Sequence, residues 1–302
     1  MKIAVTGGAG FIGKQLSKKL ADRANDVTVV DIAASSRPEM VTAKRVDITN
    51  LEETKRALGH SETVYHLAGG VLDNVRKLPY QGTELNVTGT LNVLEACRVN
   101  DVKKIIFAST FYVYDGIDPT ALVDENTSLN GNGMELFGAS KLIGENLVRT
   151  YAQKYGIQFV VLRFGSAYGA GNCTNIIKTF LESGIQGKPA VVWGRGHRWN
   201  QYTYVGDIAD GCVLSLAEKN EIFNLISPEQ TSIRELADIV KQTMNLEVAY
   251  DFSKKEGSSM PYMSSEKARI KLKWRPLTVE EGIQRTIDEM RASIAPAPAL
   301  AN

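Results

Sequence analysis

The first half of the chain alternates short runs of strand character with segments of helical periodicity. Strands are predicted at residues 2–6, 27–30, 45–47, 63–68, 104–108 and 158–162. Between them, apolar residues recur every three or four positions, which predicts helices at residues 14–20, 52–58, 84–100 and 136–155. Strands that alternate with helices need right-handed crossovers. The pattern therefore predicts an α/β fold with a parallel sheet that helices cover on both faces.

The first predicted strand runs directly into a glycine cluster. Gly8, Gly10 and Gly13 satisfy the spacing G-x-G-x-x-G, and Gly7, Gly10 and Gly13 satisfy the related G-x-x-G-x-x-G. Glycines at this spacing permit a tight turn and a close backbone approach to a pyrophosphate. The free amides and the positive end of the following helix dipole then face the anion. A strand, this loop and a helix together predict a dinucleotide site in a Rossmann-type doubly wound sheet.

The second predicted strand ends in Asp31. This is the distance beyond the glycines at which an acidic residue meets the adenosine ribose. A carboxylate there can accept hydrogen bonds from two ribose hydroxyls and repels a 2′-phosphate, so we expect NAD rather than NADP. Arg37 could in principle reach a phosphate, but it lies several residues past the strand and is interpreted as a solvated loop arginine.

The alternation loosens after Arg163. One more helix, at 205–217, and one more strand, at 222–225, extend the pattern. We interpret the remaining segments as a smaller C-terminal substrate-binding cap, since a cleft between two domains is a common place for a small-molecule site. The predicted division is 1–165 plus about 204–226 for the NAD-binding Rossmann domain, about 166–203 plus 227–292 for the substrate-binding domain, and 293–302 for a disordered tail.

Composition and charge favour a small-molecule partner in the cytoplasm. The 302 residues contain 35 Lys and Arg against 34 Asp and Glu, a net charge of +1, so we expect no binding of nucleic acid or of an anionic membrane surface. Cys97, Cys173 and Cys212 are scattered without a C-x-x-C pair, which argues against disulfides and a metal site. We expect neither a cleaved leader nor a membrane span, because no suitable apolar run is found in the sequence.

A series of motifs, in order along nearly the whole chain, resembles the extended short-chain dehydrogenase/reductases. More narrowly, the chain is similar to the NAD-dependent epimerase/dehydratase group that acts on nucleotide sugars. The motifs are Thr6 to Gly13, Asp31, Asp47-Ile48, His66 to Ala68, Asn86 to Thr90, Ser109-Thr110 with Val113-Tyr114, Gly138 to Glu145, Leu162-Arg163 with Tyr168-Gly169, Tyr204 to Asp207, and Lys273 to Pro276.

The resemblance implies hydride transfer between a carbohydrate hydroxyl carbon and NAD. In this family, a tyrosine four residues before a lysine takes the proton from the substrate hydroxyl, and the lysine lowers the pKa of that tyrosine. The lysine is Lys141, and the hydroxyl group that would bind the reacting oxygen is Thr110, with Ser109 beside it. The tyrosine position is occupied by Phe137.

Phe137 leaves three interpretations open, since a phenyl ring can neither accept nor donate a proton. The chain is an engineered, inactivated Tyr-to-Phe variant, which we favour because the other expected groups are present. It binds NAD naturally without the chemistry of the family. Or another titratable residue near the expected cleft is the base; the candidates are Tyr112, Tyr114, Asp115, Glu135 and His197.

The resemblance also implies cofactor contacts at the ends of the strands. Asp47 and Ile48 would flank the adenine, and residues 67–69 would pass beneath the pyrophosphate. Asn86 would support the site, although it is also interpreted as a helix-packing residue. The full predicted set is Gly7, Gly10, Phe11, Ile12, Gly13, Asp31, Asp47, Ile48, Leu67, Ala68, Gly69, Asn86, Lys141 and Phe164.

The substrate motifs depart from those of the family. Phe111-Tyr112 stand where dehydratases carry an acidic pair, so dehydration is disfavoured, and the arginines expected to bind a diphosphate fall on Asn200 and near Lys255. Arg195, Arg198 or Lys255 could replace them. A nucleotide sugar is expected, with a smaller polyhydroxy or keto compound as the alternative. The predicted substrate contacts are Phe111, Tyr112, Asn175, Trp193, Asn200 and Lys255, and a homodimer is expected through the helices at 84–100 and 136–155.

Overall fold

The computed structural model describes residues 1–34, 38, 40–171 and 175–294. In the first half, strands and helices alternate as predicted. The strands are β1 (Lys2–Thr6), β2 (Asp26–Asp31), β3 (Thr42–Arg45), β4 (Thr63–His66), β5 (Lys104–Thr110), β6 (Leu122–Val123) and β7 (Gln158–Phe164). The helices are α1 (Phe11–Ala21), α2 (Leu51–Leu58), α3 (Leu72–Lys77), α4 (Pro79–Val99) and α5 (Leu136–Tyr155), and a one-turn 3-10 helix, Phe111–Tyr114, follows β5.

The second half contains short strands between helices. The strands are β8 (Ser166–Tyr168), β9 (Ala190–Trp193), β10 (Trp199–Asn200), β11 (Tyr202–Tyr204), β12 (Glu221–Leu225), β13 (Thr231–Ser232), β14 (Val248–Asp251) and β15 (Tyr262–Met263). The helices are α6 (Ile176–Ile185), α7 (Val205–Leu214), α8 (Ile233–Met244), α9 (Glu266–Lys271) and α10 (Val279–Ile294), with a 3-10 turn at Ser215–Ala217.

Seven strands form one parallel sheet in the order β12-β7-β5-β4-β1-β2-β3. All six neighbouring pairs in this sheet are parallel. The chain moves outward from β1 to β3 and then returns to the other side of β1 at β4, so the order reverses between β1 and β4. This is the topological switch point at which doubly wound folds bind their ligands. The predicted fold class is confirmed.

Helices bury both faces of the sheet, which explains why its central strands β4, β5 and β7 are largely apolar, whereas the edge strand β3 is polar. On one face, Leu16 of α1 and Ile208 of α7 belong to the same buried cluster as strand side chains. On the other face, Leu58 of α2, Val93 of α4 and Val148 of α5 form a second cluster. Two layers of helix around a sheet give the molecule its main core.

A third buried cluster belongs to the second half of the chain. It joins Phe180 of α6, Val192 of β9, Leu236 of α8 and Ile283 of α10. Two parallel strand pairs, β9 with β14 and β8 with β11, lie in the same half. The predicted tail starts inside α10, which extends to Ile294, and residues 295–302 lie outside the described residues.

Several element boundaries differ from the prediction by a few residues, and two of these differences have a clear local cause. Strand β3 ends at Arg45 rather than at 47, because the Asp47 carboxylate accepts hydrogen bonds from the backbone nitrogen and the hydroxyl of Thr49 and forms a turn ahead of α2. Helix α4 begins at Pro79 rather than at 84, and α3 precedes it. Gly82 weakens the helical pattern there, but a Cβ on it would lie 2.8 Å from Val75, so glycine allows α3 and α4 to pack closely.

Asp207 joins the C-terminal segment to α7. Its Oδ2 accepts a hydrogen bond from the Leu277 nitrogen over 2.9 Å. The indole nitrogen of the buried Trp274 donates to the Asp207 carbonyl oxygen over 2.8 Å. Burial raises the pKa of the Asp207 carboxyl to about 6, and the nearby charge of Asp210 adds to the rise. The Asp207 carboxyl therefore ionises less readily in the folded state than in the unfolded chain.

We expect Asp207→Asn to make the fold less sensitive to pH. An aspartate whose folded-state pKa is raised stabilises the fold fully below its unfolded value of about 3.9, and this contribution is lost as pH rises through about 6. The asparagine keeps an acceptor for Leu277 and cannot ionise. Urea unfolding should show the variant gaining about 1 kcal/mol on the parent between about pH 4 and about pH 7, an amount reduced for solvent screening. An unchanged difference over that range would contradict the assignment; the exposed Asp238→Asn is the control.

Candidate active site

The last residues of five neighbouring strands lie along one edge of the sheet. They are Thr6 of β1, Asp31 of β2, His66 of β4, Thr110 of β5 and Phe164 of β7. The register pairs Thr6 with His66 and Thr110 with Phe164. Because parallel strands end on the same side, these residues surround one cleft beyond the carboxyl edge. The sequence prediction that the site lies at the strand ends is consistent with this arrangement.

Two close backbone approaches shape the glycine loop. Gly7 has a φ of 70°, and a Cβ there would lie 2.6 Å from the Ala68 nitrogen. A Cβ on Gly13 would lie 2.1 Å from the Gly7 carbonyl oxygen. No side chain fits at either position. The N-cap of α1 is Gly10, and the first turn has neither a capping side chain nor an acidic residue, so its amides and the helix dipole can receive an anion.

Asp31 connects the glycine loop to β2. Its Oδ2 accepts a hydrogen bond from the Ala9 nitrogen over 3.0 Å, and its Oδ1 accepts one from the Ala33 nitrogen over 2.8 Å. Each carboxylate oxygen has a second acceptor site, which fits a ribose diol. The geometry therefore suits a dinucleotide: backbone amides for the phosphates and a carboxylate for the sugar. Arg37 lies outside the described residues.

Other predicted cofactor residues lie around this loop. The Leu67 nitrogen donates to the Thr6 carbonyl oxygen over 3.0 Å, which holds the chain after β4 against β1. Ile48 is buried, and a Cβ on Gly89 would lie 2.7 Å from its Cδ1. The Phe11 ring lies against Gly171, near the start of the second half of the chain. Ile12 packs on both the sheet cluster and the third cluster.

A neutral hydrogen-bonding chain lies beneath the cleft. The His66 ring bridges two hydroxyls, with Nδ1 2.8 Å from Thr6 Oγ1 and Nε2 3.0 Å from Thr90 Oγ1. The Thr90 hydroxyl is also within hydrogen-bond distance of the Asn86 carbonyl oxygen, at 2.6 Å. Burial lowers the pKa of His66 to about 3, and the positive charge of Lys141 lowers it further. His66 is therefore an uncharged structural group, as expected for a hydrogen-bonded histidine at the end of a strand.

Asn86 links α4 to α5 and to the chain after β4. Its Oδ1 accepts from the Gly70 nitrogen over 2.8 Å, and its Nδ2 donates to the Ser140 hydroxyl over 2.9 Å. The Ser140 hydroxyl in turn donates to the Phe137 carbonyl oxygen over 2.8 Å. Both ends of the Asn86 amide are thus used within the protein. Ser140 was missed at the sequence level, although it directly precedes Lys141 in its motif.

Lys141 is a buried cation at the ends of β4 and β5. Its Nζ donates to the Ala108 carbonyl oxygen over 2.9 Å and lies 5.1 Å from the centre of the Phe107 ring. A Cβ on Gly69 would lie 3.1 Å from the same Nζ. Burial lowers the pKa of Lys141 to about 8, and the charge of Glu145 offsets part of this effect. Among the described residues only one of the three ammonium donors is used, so the others can serve a ligand.

Phe137 lies one helical turn before Lys141 on α5, with its ring against Tyr112. The two ring centres are 5.7 Å apart in an edge-to-face arrangement. Tyr112 belongs to the 3-10 turn that follows β5, and its nitrogen donates to the Thr110 hydroxyl over 3.3 Å. The structure therefore brings together Thr110, Tyr112, Phe137 and the neighbouring Lys141 at one end of the sheet.

Ser109, predicted beside Thr110, is engaged elsewhere. Its hydroxyl donates to Glu145 Oε1 over 2.5 Å. Arg163 donates to the two Glu145 oxygens over 2.9 and 2.8 Å, and to the Tyr114 hydroxyl over 2.7 Å. All these side chains are buried, so this cluster joins β5, α5 and β7 inside the protein. Glu145 was missed as a partner because its position four residues after Lys141 does not reveal Arg163 across the sheet.

Two predicted substrate residues make structural hydrogen bonds. Asn175 Oδ1 accepts from the Lys178 nitrogen and caps α6, while its Nδ2 donates to the Ala167 carbonyl oxygen. Asn200 is buried, and its Oδ1 accepts from the Gln201 nitrogen over 2.9 Å. These bonds use both ends of the Asn175 amide and the oxygen of the Asn200 amide.

The other predicted substrate residues differ in exposure. Trp193 is 57% exposed and Lys255 is also exposed. Phe111 is 5% exposed and lies in a buried cluster with Val113 and Met263, so its ring packs in the core. Tyr112 is half-buried, with its ring centre 4.4 Å from that of Phe111.

Metal ligands, membrane-spanning helices and thiols can each be assessed over the described part of the chain. Over residues 1–34, 38, 40–171 and 175–294, no three His, Cys, Asp or Glu side chains converge as metal ligands. Within those ranges no helix has the length and apolar character that crossing a bilayer requires. Cys97 and Cys212 are free and buried, and Cys173 lies outside the described residues.

Comparison with known proteins agrees with this geometry. The family model described as the NAD dependent epimerase/dehydratase family matches residues 3–225. A putative UDP-glucose 4-epimerase of Methanocaldococcus jannaschii is 32% identical over 96% of this chain and 98% of its own length. This chain belongs to the NAD-dependent epimerase/dehydratase family. It is an enzyme of the short-chain dehydrogenase/reductase type, and NAD is the cofactor of the family.

Two solved structures show the same fold along the whole chain. The UDP-glucose 4-epimerase of Thermotoga maritima with UDP-glucose has a TM-score of 0.90 at 27% identity, covering 98% of this chain and 100% of that one. The UDP-glucose 4-epimerase of Thermus thermophilus in complex with NAD has a TM-score of 0.87 at 28% identity, covering 97% and 100%.

Asp31 generates a prediction about cofactor choice. Asp31→Asn keeps an acceptor for the loop amides but removes the charge that repels a 2′-phosphate. We expect calorimetry to show tighter binding of NAD than of NADP to the parent, and a preference reduced by about tenfold in the variant. Asp26→Asn, at the opposite end of β2, is the matched control. Tighter binding of NADP to the parent would refute the assignment of Asp31.

Proposed function

We propose that this protein interconverts epimers of a UDP-sugar by removing hydrogen from a sugar carbinol and returning it to the opposite face. The observation that carries the proposal is the Lys141 ammonium, which is desolvated at the ends of β4 and β5 and retains free donors. The similarity to UDP-glucose 4-epimerases over almost the whole chain supports the same reaction class.

The cofactor residues follow from the geometry of the strand ends. We assign the pyrophosphate to the amides around Gly10, the adenosine ribose to Asp31, and the nicotinamide ribose to Lys141. Bound NAD would supply the acceptor and later the donor of a hydride. Further contacts are proposed for Gly7, Phe11, Ile12, Gly13, Asp47, Ile48, Leu67, Ala68, Gly69, Asn86 and Phe164.

Thr110 would orient the reacting oxygen of the sugar. Its Oγ1 accepts a hydrogen bond from the Tyr112 nitrogen, which leaves its own proton available for donation. A donor aimed at an oxygen that gains negative charge stabilises the transition state more than the ground state. Thr110 therefore acts on the substrate, whereas Ser109 is proposed to act through the position of β5.

The substrate would bind between the NAD-binding domain, 1–165 plus about 204–226, and the domain of about 166–203 plus 227–292. Positive charge for a diphosphate is available on the loop before β10. The Glu256 carboxylate accepts hydrogen bonds from the backbone nitrogens of Arg195 and Arg198, which fixes this loop. The exposed Arg195 on this fixed loop would take the place of the arginine expected at the neutral, buried Asn200.

Phe137 supports a second candidate, a protein that binds NAD and a UDP-sugar without turnover. Loss of a general acid/base costs about a hundred- to ten-thousandfold in rate. On this view the chain is an inactivated Tyr-to-Phe form of an epimerase, and Phe137→Tyr would create activity. Comparison of the two forms therefore separates a catalyst from a binding protein.

The proposal predicts that UDP-galactose forms from UDP-glucose in the presence of NAD, as followed by chromatography. Lys141→Met should lower kcat by at least about a hundredfold, because the site loses the buried cation that holds the nicotinamide ribose. Lys154→Met, the same change at an exposed position of α5, should have little effect. If neither the parent nor Phe137→Tyr converts any UDP-sugar, epimerisation is refuted.

We also propose a homodimer in the cytoplasm, with α4 and α5 at the interface. These helices lie side by side and expose apolar side chains: Leu91, Val99, Leu136, Ile143 and Tyr155 are each 39–45% exposed. The buried thiols Cys97 and Cys212 suit a reducing compartment.

The interface can be tested by light scattering. The parent should have the mass of two chains, and Leu91→Glu with Ile143→Glu should have the mass of one, because charged groups would be buried without partners. Ile185→Glu, an exposed position at the end of α6, is the control and should leave the mass unchanged. A monomeric parent would contradict the proposal.

A further inference from the structure

We propose that Tyr112 accepts and returns the substrate proton in place of the missing tyrosine at position 137. The inference rests on the proposed function, since it assumes that a sugar hydroxyl reacts in this cleft. It differs from the interpretation favoured by the sequence, in which Phe137 marks an inactivated chain. Tyr112 was one of five titratable candidates there, and the structure separates it from the other four.

The position of Tyr112 is fixed by the two elements that define the site. It follows Thr110 by two residues, and its nitrogen is bound to the Thr110 hydroxyl. On the other side, a Cβ on Gly138 would lie 2.3 Å from the Tyr112 carbonyl oxygen, so α5 directly contacts the 3-10 turn beside Phe137. The Tyr112 ring meets the Phe137 ring edge to face at 5.7 Å. A phenol is therefore present next to the position that lost one.

The Tyr112 hydroxyl is available, whereas the other candidates are not. No hydrogen bond to its Oη is found among the described residues, and it is half-buried rather than enclosed. The Tyr114 hydroxyl is bound by Arg163 and Asn224 in the core. Two further candidates already have partners. The Asp115 carboxylate accepts a hydrogen bond from the Glu135 nitrogen, and the Glu135 carboxylate forms an ion pair with Arg76.

His197, the remaining candidate, is exposed on the loop before β10. No hydrogen bond, ion pair or ring contact of its side chain with Phe137, Thr110 or Lys141 is found in the described part of the chain. Tyr202, another tyrosine of this region, is 3% exposed and belongs to the third buried cluster. Tyr112 is thus the candidate that is both accessible and in contact with Phe137.

The pKa of the Tyr112 phenol is raised overall by burial, and two nearby arginines act against that effect. Burial raises the pKa of the Tyr112 phenol, and the positive charges of Arg198 and then Arg76 act in the opposite direction. The carboxylates of Asp115 and Glu135 add to the rise. Since Arg76 is already paired with Glu135, Arg198 is the cation that remains free to stabilise a phenolate. The buried Arg198 Nε has no hydrogen-bond partner among the described residues.

The step is balanced with the reactants that the proposed function names. The substrate O–H bond breaks and its proton forms an O–H bond with the Tyr112 phenolate. The hydrogen on the adjacent carbon leaves with both electrons of its C–H bond as a hydride, which bound NAD would accept and later return to the opposite face of the sugar. The sugar becomes a ketone. In the reverse half-reaction the Tyr112 phenol returns the proton to the sugar oxygen, so the protein ends the cycle unchanged.

Three variants test the proposal: Tyr112→Phe, Phe137→Tyr and the two together. We expect Tyr112→Phe to lower kcat by at least about a hundredfold. Calorimetry should show unchanged affinities for NAD and UDP-glucose, since the ring remains. The double variant should recover turnover, because a phenol again contacts the site from the adjacent position. Tyr250→Phe, a distant tyrosine of β14, is the control.

A second readout needs neither cofactor nor substrate. Ultraviolet titration of the parent minus that of Tyr112→Phe gives the ionisation of the Tyr112 phenol, and Arg198→Gln should move that ionisation to higher pH. An unchanged titration in Arg198→Gln would overturn the part assigned to Arg198. Full turnover in Tyr112→Phe would overturn the proposal itself.

Two experimental outcomes distinguish the role of Tyr112 from the epimerase activity itself. An inactive parent together with an active Phe137→Tyr would overturn the role of Tyr112 and leave the epimerase assignment intact. If the parent, Phe137→Tyr and the double variant are all inactive with every UDP-sugar tried, both proposals are refuted.

Discussion

The site depends on keeping the Lys141 ammonium desolvated and yet free of a carboxylate. Glu145 lies one turn further along α5, but Arg163 and Ser109 occupy its oxygens. Lys141 is consequently left with the Ala108 carbonyl oxygen as its acceptor among the described residues and with a pKa lowered to about 8. The cost of burying this cation is offset when a ligand supplies acceptors. The buried ion pair of Arg163 and Glu145 thus leaves Lys141 free for a ligand, although the pair itself lies in the core.

The same arrangement gives Phe137 a local meaning. Its ring carries no phenolic oxygen and packs against Tyr112. The rest of the cleft is built as for a catalyst: the glycine loop admits no side chain at Gly7 or Gly13, and neutral His66 supports the strand ends. In the proposed function these features hold the cofactor and orient the substrate hydroxyl. The proposed proton transfer then depends on the phenol of Tyr112, whose ring is in contact with the ring of Phe137.

Local sequence signals predicted the parts of the site that depend on local structure. The glycine spacing, Asp31 at a strand end and the parallel sheet follow from periodicity and turn chemistry. The signals did not reveal that Ser109 is bound to Glu145, or that Asn175 caps α6, because both depend on partners from other elements. Strands of two or three residues, such as β8 and β10, are defined by their pairing and have no periodicity of their own.

The most direct test of a hydride-transferring cleft is to look for reduced nicotinamide during turnover. Protein loaded with NAD would be mixed rapidly with UDP-glucose while the near-ultraviolet absorbance of the cofactor is recorded. The account predicts a transient band of reduced nicotinamide in the parent chain, formed and lost within the course of epimer interconversion. Absence of that band in both the parent and Phe137→Tyr, with UDP-glucose bound, would contradict it.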